Sequence, residues 1–351
     1  MPDSPLLQAA QAARTAALRS ERKAAVNLVN AYGRAWQKLQ GDIDALLAAM
    51  SELGEPTWAQ VERLSLYRQM LTQLETEVSR YATIAENEID ASAKAAVQAA
   101  LKDSAGMIQA ALPGLDAAGV DAALYKLNPD AVSSMIGFLD NGSPLFKNLQ
   151  RLGPDVAALV ADKLREGIIL GYNPRKVARI IRDATGQGLT WSLTTARTAN
   201  LWAYRSASLA NYRANSQVVS GWVWWTALDD RCCMGCISQH GSFHTLEETL
   251  NGHHSCRCAM LPQTKSYAEL GLPGVTEEPP SYETGEAWFK GQPETAQRDL
   301  MGPAMFDAWR AGEFAFGDLS VPYTDDTYGE MRRAASLKDL LGERAKTYYA
   351  K

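Results

Sequence analysis

The stretch from Asp229 to Leu261 decides the fold of the region around it. It begins with DDRCCMGC (residues 229–236) and ends with GHHSCRCAML (residues 252–261). All five cysteines of the 351-residue chain lie in this stretch, together with all four of its histidines. This concentration of thiol and imidazole side chains indicates a single local site rather than scattered core residues.

The spacing of these residues is typical of a small zinc knuckle. Cys233 and Cys236 form a Cys-x-x-Cys pair, and His253 and Cys256 repeat the same spacing. Thiolate and imidazole are the ligands that tetrahedral Zn²⁺ prefers, and two short turns can hold four of them around one ion. Cys258 is a fifth candidate, which can substitute for His253. We therefore predict a structural Zn²⁺ site among these five residues, and the sequence leaves open whether His253 or Cys258 is the fourth ligand.

Two other interpretations of the cysteines stay open. The thiols can form a disulfide or remain free and buried, although Met1–Pro5 does not resemble a signal peptide and a cytoplasmic chain is expected to keep its thiols reduced. Alternatively, the cluster serves a metal-dependent nuclease or DNA-modifying enzyme that uses His253, His254 and the carboxylates of Asp229 and Asp230. Such a nuclease usually needs a further histidine or asparagine on a following helix, and no histidine follows His254. We therefore expect a structural site without a catalytic residue.

The overall composition is that of an ordinary folded protein. The formal net charge is −5, so no global basic field predicts nucleic-acid binding. Hydrophobic residues make up 46 % of the chain, which argues against general disorder. No apolar run approaches the length of about 18 residues that a membrane-spanning helix needs. The sequence therefore does not predict a membrane-spanning protein.

Two long segments with heptad spacing lie at the N-terminal side. Gln8–Met50 contains no proline, and its apolar residues recur at steps of three and four. Gly54–Thr57 interrupts the pattern, which resumes over Leu64–Ala85 and fades into the alanine-rich residues 91–101. Thr57-x-x-Gln60 predicts a capping box at the start of the second helix. Two long helices joined by a short turn predict an antiparallel hairpin.

Further helices are predicted between this hairpin and the cysteines. Asp116–Leu139 is expected to form one or two short helices, and Leu145–Glu166 a longer one. Pro174 is suited to the first position of another helix. Gly186–Gly188 is expected to end that helix before a separate one, Leu189–Ala214.

The helix that begins at Pro174 carries a basic face. Its cationic residues are Arg175, Lys176, Arg179 and Arg182, with apolar residues turned the other way. A basic face can bind the phosphates of DNA, but a solvated helix surface explains such a face more often. We name these four residues as candidate nucleic-acid-binding residues, with packaged double-stranded DNA as the ligand.

A strand is predicted directly before the cysteines. Val218–Thr226 is rich in the β-branched and aromatic residues that favour a sheet, and bulky residues point to both faces, so both faces are expected to be covered. At the other end of the chain, Val321–Lys351 is predicted to be a small polar segment that ends in a helix, Ser336–Tyr349. The cysteine-rich stretch should therefore extend from a buried strand.

Several short motifs outside the cysteines complete the pattern. They are Arg197-Thr198 and Tyr204-Arg205-x-x-Ser208 on a helix, Gly221 and Trp225 on the strand, Asp229 or Asp230 before Arg231, and Phe243. Together with Cys-x-x-Cys and His-x-x-Cys-Arg-Cys, they resemble the phage Mu F-like minor head protein family. A later stretch, Trp288–Leu319, is similar to the tail of many members, so that the resemblance covers roughly residues 160–320. Cys232 stands where the family usually has threonine, and His254 where it usually has proline.

The resemblance implies a minor capsid protein that takes part in head morphogenesis of a tailed phage or prophage and has no enzymatic activity. It implies other head proteins as partners, several copies per head, and association with the portal protein, with packaged double-stranded DNA or with both. It also implies a location in the virion head, near the portal vertex, after assembly in the host cytoplasm. No membrane is involved in such a role.

The chain is therefore predicted to be mainly α-helical, with a small α+β zinc-knuckle module and a long N-terminal antiparallel helical hairpin. Four segments are expected. They are the hairpin (1–112), a helical connector (113–187), a Mu F-like core with the metal knuckle (188–262) and an α-rich C-terminal tail (263–351).

Overall fold

The protein is mainly helical, with two small antiparallel sheets, and this confirms the predicted fold class. The computed structural model describes residues 4–54, 56–113, 124, 126–135, 144–170, 172, 174–229, 231–272 and 282–349. The chain forms two compact units, a helical unit (Leu18–Ala93 and Gly137–Asn200) and a sheet unit (Met1–Ala17, Lys94–Ile136 and Leu201–Lys351). The four segments expected from the sequence stay a prediction. None of the described helices combines the length and the apolar character needed to cross a bilayer.

The described helices and strands follow one another in a simple order. The helices are α1 (Pro5–Glu52), α2 (Trp58–Arg63), α3 (Ser65–Ala111), α4 (Pro129–Met135), α5 (Pro144–Ile169), α6 (Pro174–Ala214), α7 (Met234–Gln239), α8 (Gly285–Gly291), α9 (Glu294–Met301), α10 (Pro303–Arg310), α11 (Leu337–Leu341) and α12 (Lys346–Tyr349). The strands are β1 (Val219–Trp225), β2 (Phe243–Thr245), β3 (Ala259–Thr264), β4 (Ser320–Asp325) and β5 (Gly329–Ala334). Short 3-10 helices cover Phe316–Leu319 and Gly342–Ala345.

Helices α1 and α3 form the predicted antiparallel hairpin. In the helical unit, Asn27 Nδ2 on α1 donates to Glu88 Oε1 on α3 at 3.1 Å, and Lys38 Nζ contacts both carboxylate oxygens of Glu77 at 3.1 and 3.2 Å. The partner number on α3 falls as the number on α1 rises, which defines the antiparallel arrangement. The seam contains fully buried apolar side chains, as the heptad spacing requires; they include Leu28, Leu39, Leu46, Met70 and Leu74.

The turn between these helices contains the predicted capping interaction. The Thr57 backbone N–H donates to Gln60 Oε1 at 2.8 Å, at the start of α2. Farther along, the helices predicted over Asp116–Leu139 lie largely outside the described residues. Within that range α4 begins at Pro129, where Asn128 Oδ1 accepts from the Asp130 N–H at 2.8 Å. Both helix starts use a polar side chain to satisfy a backbone donor.

Helix α6 is continuous from Pro174 to Ala214, so the prediction that Gly186–Gly188 ends a helix is wrong. The reason is packing against α5. A Cβ at Gly188 would lie 3.3 Å from Val156 Cγ2 and 3.4 Å from Leu152 Cδ1, so the glycine allows a close approach of the two helices. Packing of this kind overrides the weak helix propensity of glycine, which costs about 1 kcal/mol relative to alanine.

The helical unit also contains two polar contacts from α6 to the hairpin. Asn200 Nδ2 donates to Ser92 Oγ at 2.7 Å, and both residues are buried. Arg197 forms an ion pair with Glu21, whose side chain is likewise buried. A buried carboxylate is costly without a cation, so Arg197 has a structural role in this unit.

Strand β1 lies at the centre of a three-stranded sheet of order β2-β1-β3, with both neighbours antiparallel. Trp222 and Trp224 are buried on one face of β1, in the core that also contains Cys236 and Cys256. The other face carries Val223, which packs with residues from α1, α3 and β3, among them Leu6, Ala10, Met107 and Leu261. Both faces of the predicted strand are therefore covered.

The C-terminal part of the sheet unit differs from the sequence prediction. β4 and β5 form an antiparallel hairpin, which the sequence did not indicate. The single helix expected over Ser336–Tyr349 is broken, because Gly342 at the end of α11 has φ 57° and a 3-10 helix follows. A positive φ is the conformation that glycine adopts without a steric penalty.

Candidate metal centre

Two chain segments bring the five candidate ligands together. Cys233 is the N-cap of α7, and its Sγ accepts from the Cys236 backbone N–H at 3.4 Å. His253, Cys256 and Cys258 lie on the segment that leads into β3. The first segment is a tight turn into a helix and the second an irregular loop, so each presents its ligands over a short length of chain.

The ligand atoms form two overlapping groups that share Cys236. Cys233 Sγ, Cys236 Sγ and a ring nitrogen of His253 lie within 4.8 Å of one another, and so do the Sγ atoms of Cys236, Cys256 and Cys258. His253 Nε2 is 3.2 Å from Cys233 Sγ and 3.3 Å from Cys236 Sγ. Cys236 Sγ is 3.7 Å from Cys256 Sγ. Cys236 is therefore the centre of the cluster.

These distances fit a tetrahedral ion and do not fit a disulfide. Zn–S bonds of about 2.3 Å place two thiolates of a tetrahedral site about 3.8 Å apart, close to the 3.7 Å between Cys236 and Cys256. A disulfide requires about 2.05 Å between the sulfurs. All five cysteines are free. The cluster can therefore bind a metal ion through thiolates and one imidazole.

The ring of His253 is oriented for coordination. Its Nδ1 lies 2.7 Å from the backbone oxygen of His254. A carbonyl oxygen can only accept, so Nδ1 carries a proton, and Nε2 faces the thiols, where it can coordinate a metal ion once its own proton is displaced. A hydrogen bond from the non-coordinating nitrogen is the usual way in which proteins fix the tautomer of a metal ligand.

Protons are distributed unequally among these groups. The pKa of Cys233 falls to about 5, first because the Cys236 thiol donates a hydrogen bond to it, and the pKa of Cys236 rises correspondingly. The hydrogen bond to Cys233 raises the pKa of His253 to about 9. These shifts favour a thiolate at Cys233 and a protonated ring at His253, and a divalent cation that binds here displaces the protons.

Arg205 on α6 holds the second ligand segment by hydrogen bonds to its backbone. Its side chain is buried, and it donates from Nε to Cys258 O at 3.0 Å and from Nη2 to Cys256 O at 2.6 Å. Gly252 is needed beside it, because a Cβ there would lie 2.5 Å from Cys256 Sγ and 3.3 Å from Arg205 Nη1. The motif that contains Arg205 was visible in the sequence, but its function as a clamp on the ligand loop was not.

The C-terminal elements support the first ligand segment. A Cβ at Gly235 in α7 would lie 2.9 Å from Ala334 N and Cα in β5, and one at Gly285 would overlap the backbone oxygen of Ile237. The Arg332 N–H donates to Asn251 O at 2.6 Å, next to the second ligand segment. Nothing in the sequence pattern indicated that residues after 282 contribute to the site.

Three of the four histidines have partners outside the thiol cluster. His240 Nδ1 accepts from the Thr226 N–H at 3.0 Å, and burial lowers the pKa of His240 to about 4. His244 stacks on Trp222 with ring centroids 4.2 Å apart. His254 Nε2 lies 2.9 Å from Asp325 Oδ2. Of the four, His253 directs a ring nitrogen at the thiols.

Of the two predicted carboxylates, the one that the structure describes, Asp229, lies beside the cluster rather than in it. Asp229 forms a bidentate pair with Arg257, at 2.8 and 3.0 Å, and this hydrogen bonding holds the pKa of Asp229 well below its usual range. Cys232 Sγ contacts Asp229 Oδ1 at 3.3 Å and Thr226 Oγ1 at 3.0 Å. Asp230 lies outside the described residues. Cys232 is therefore the cysteine whose polar contacts are with residues outside the ligand cluster.

The candidate nucleic-acid-binding residues lie on the first part of α6. Lys176, Arg179 and Arg182 are exposed there, whereas the side chain of Arg175 lies outside the described part of the chain. Lys176 Nζ lies 3.2 Å from the centroid of the Tyr172 ring, and Arg182 pairs with Asp183 at 2.9 Å. DNA binding by this face stays a prediction.

Comparison with known proteins confirms the family resemblance. Residues 158–261 match the family model described as Phage Mu protein F like protein. The matched range includes Arg205 and all five candidate ligands. No curated protein and no solved structure matches the chain. The family match supports a phage head morphogenesis protein.

Proposed function

We propose that this chain, which contains a Phage Mu F-like domain, is a minor capsid protein for head morphogenesis of a tailed phage or prophage. The observation that carries the proposal is the family match over residues 158–261, which contains the complete thiol and imidazole cluster. Its partners are the portal protein and other head proteins. It is assembled in the host cytoplasm and then lies in the virion head near the portal vertex.

In this proposal the cluster binds a structural Zn²⁺ ion. The ligands come from Cys233, Cys236, His253, Cys256 and Cys258. Their number supports a closed site, because a structural zinc ion takes four protein ligands whereas a catalytic one keeps a position for water. The loop that carries three of them has little regular structure of its own. A structural Zn²⁺ ion can contribute about 10 kcal/mol or more to the folding of such a module.

The zinc proposal is tested by metal content. The full chain is purified without chelators, and its zinc is measured by atomic emission for the wild type, Cys233→Ser and Cys236→Ser. Cys232→Ser is the matched control, because it removes the neighbouring thiol without touching the ligand cluster. We expect about one zinc per chain in the wild type and in the control, and a large loss in the other two variants. Equal zinc in all four proteins, or none in the wild type, would refute the site.

The assembly proposal is tested in phage particles. Heads are purified from a phage that encodes this chain, with and without its portal protein, and their composition is measured by mass spectrometry. We expect the chain in a few copies per wild-type head and a strong decrease when the portal is missing. Absence of the chain from wild-type heads would refute a head role, and equal amounts in both preparations would refute the portal association.

The local geometry supports a structural site over a nuclease. Asp229 is held by Arg257, and His254 by Asp325, so neither group is presented jointly with His253 to a catalytic cation. Incubation of the protein with phage DNA and Mg²⁺ or Mn²⁺ distinguishes the two functions. We expect intact DNA, and cleavage that disappears in His253→Ala would favour the enzyme.

Contact with packaged DNA through the basic face of α6 is part of the proposal. Each phosphate contact that is lost reduces the dependence of binding on salt. We expect binding to duplex DNA to weaken steeply with salt, and the slope to become smaller in a variant that combines Lys176→Gln, Arg179→Gln and Arg182→Gln. The same slope in that variant would reject this face.

A further inference from the structure

Three arginines converge on one carboxylate beside β1, and we call them the arginine cluster. Arg257 makes the bidentate pair with Asp229, Arg231 Nη2 lies 3.3 Å from Asp229 Oδ2, and Arg14 Nη2 lies 3.8 Å from the same oxygen. These residues come from α1, from the segment between β1 and α7, and from the loop before β3. They all belong to the sheet unit.

Among the described residues, the positive charge of the cluster exceeds the negative charge of its ion-pair partner. In the described part of the chain, Arg14, Arg231 and Arg257 form their ion pairs with the single carboxylate of Asp229. Arg14 is the least well compensated, because its Nε is buried and has no hydrogen-bond acceptor. Burial, and then the charge of Arg257, lower the pKa of Arg14. A partly buried cation without a close anion is unfavourable.

Two arginines of the cluster are largely buried, and the third is exposed to solvent. The side chains of Arg14 and Arg257 are 21 % and 15 % exposed, whereas that of Arg231 is 70 % exposed. The Arg14 guanidinium lies 5.8 Å from the centroid of the Trp225 ring, within the range of a cation–π interaction. An anion that arrives from solvent therefore meets one exposed arginine and two that are largely buried.

We propose that Arg14, Arg231 and Arg257 form a binding site for a phosphate group. Phosphate fits because its oxygens accept two parallel N–H bonds from a guanidinium, and because its charge balances the excess of arginine. Asp229 positions Arg257 and competes with the incoming anion for the other two. The phosphate can be a free anion or part of a DNA backbone, and the proposed function enters only in the choice of duplex DNA as a probe.

The site is tested by titration of the full-length protein with inorganic phosphate and, separately, with a short duplex DNA, at constant ionic strength and by calorimetry. Arg14→Gln and Arg231→Gln each remove charge-assisted hydrogen bonds and should weaken phosphate binding by about tenfold or more. Arg213→Gln is the matched control, since Arg213 is an exposed arginine of the same unit that donates to the backbone oxygens of Leu246 and Glu247. Its affinity should equal that of the wild type.

Asp229→Asn gives a second and opposite result. Removal of the competing carboxylate should strengthen phosphate binding severalfold, whereas a general loss of structure would weaken it. Arg14→Lys keeps the charge but lacks the planar fork, so it should bind phosphate more weakly than the wild type and more strongly than Arg14→Gln. Thermal unfolding of each variant shows whether the fold is retained.

The outcomes separate the source of the phosphate. Weaker binding of both probes by Arg14→Gln and Arg231→Gln supports the site and points to a DNA backbone, and weaker binding of inorganic phosphate alone supports it and points to a free anion. Equal affinities in Arg14→Gln, Arg231→Gln and Arg213→Gln, or no phosphate binding by the wild type, would overturn the inference. Zinc content and incorporation into heads are measured independently of phosphate binding. Failure of the phosphate site would therefore be distinguished from failure of the proposed function.

Discussion

Arg205→Met tests whether one buried guanidinium holds the ligand loop. The substitution removes the hydrogen bonds to Cys256 O and Cys258 O, at 2.6 and 3.0 Å, and methionine replaces much of the aliphatic stem. Each buried carbonyl that loses its donor costs about 1–3 kcal/mol. Release of the arginine from its buried position offsets part of this cost. We therefore expect a loss of about 3 kcal/mol from the free energy of unfolding.

The measurement combines global and local stability. Urea unfolding of the purified variant gives the change in free energy, and hydrogen exchange of residues 252–264 reports the ligand loop directly. The loop should exchange faster, and a chelator should remove metal faster than from the wild type. Arg205→Lys retains one donor group without the fork geometry and should fall between the two.

Arg213→Met is the control for this experiment. Arg213 also donates to two backbone oxygens, one of them Leu246 O at 2.7 Å, but it is exposed. Water can replace its hydrogen bonds, so the expected loss is within about 0.5 kcal/mol. If Arg205→Met unfolds at the same urea concentration as Arg213→Met and loses metal no faster, the guanidinium does not clamp the loop.

Three further predictions follow from local geometry and burial. Gly285→Ala should lower the free energy of unfolding by about 1–3 kcal/mol, because the new Cβ would overlap a carbonyl oxygen of α7. Gly291→Ala is the control, because a Cβ there would meet open space, and it should change stability little. Equal urea midpoints for the two variants would contradict this prediction. Burial lowers the pKa of His240 to about 4, below the unfolded value of about 6.5. The folded state therefore favours the neutral imidazole. The folding stability that this preference provides is complete above pH about 6.5, and it falls toward pH 4 by at most about 1.4 kcal/mol per pH unit. His240→Gln should flatten this part of the curve of stability against pH, and an unchanged slope would be evidence against the buried neutral ring. Gly186→Ala should stabilise α6 by about 0.5–1 kcal/mol, because alanine has the higher helix propensity and a Cβ there meets open space. Gly188→Ala should gain less stability or lose some, because Val156 must move to make room for the new Cβ. Thermal unfolding measures both variants, and an equal gain in stability would refute the packing explanation.

The sequence by itself determined the features that depend on local pattern. Heptad spacing fixed the hairpin of α1 and α3, because side chains three and four residues apart lie on the same face of a helix. The run of β-branched and aromatic residues identified β1. The Cys-x-x-Cys and His-x-x-Cys spacings indicated the ligand residues, because a short turn brings the two members of each pair together, and the structure places both pairs in one cluster.

The tertiary structure alone decided the features that depend on distant contacts. Gly188 reads as a helix end in the sequence, yet α6 continues because the glycine allows a close approach to Leu152 on α5. Arg205 lies about fifty positions before the carbonyls that it binds, and no local pattern predicts that contact. Likewise, Gly285 is required only because α7 packs against it. Such contacts are set by the packing of segments that are far apart in the chain, and periodicity and spacing report only on neighbours.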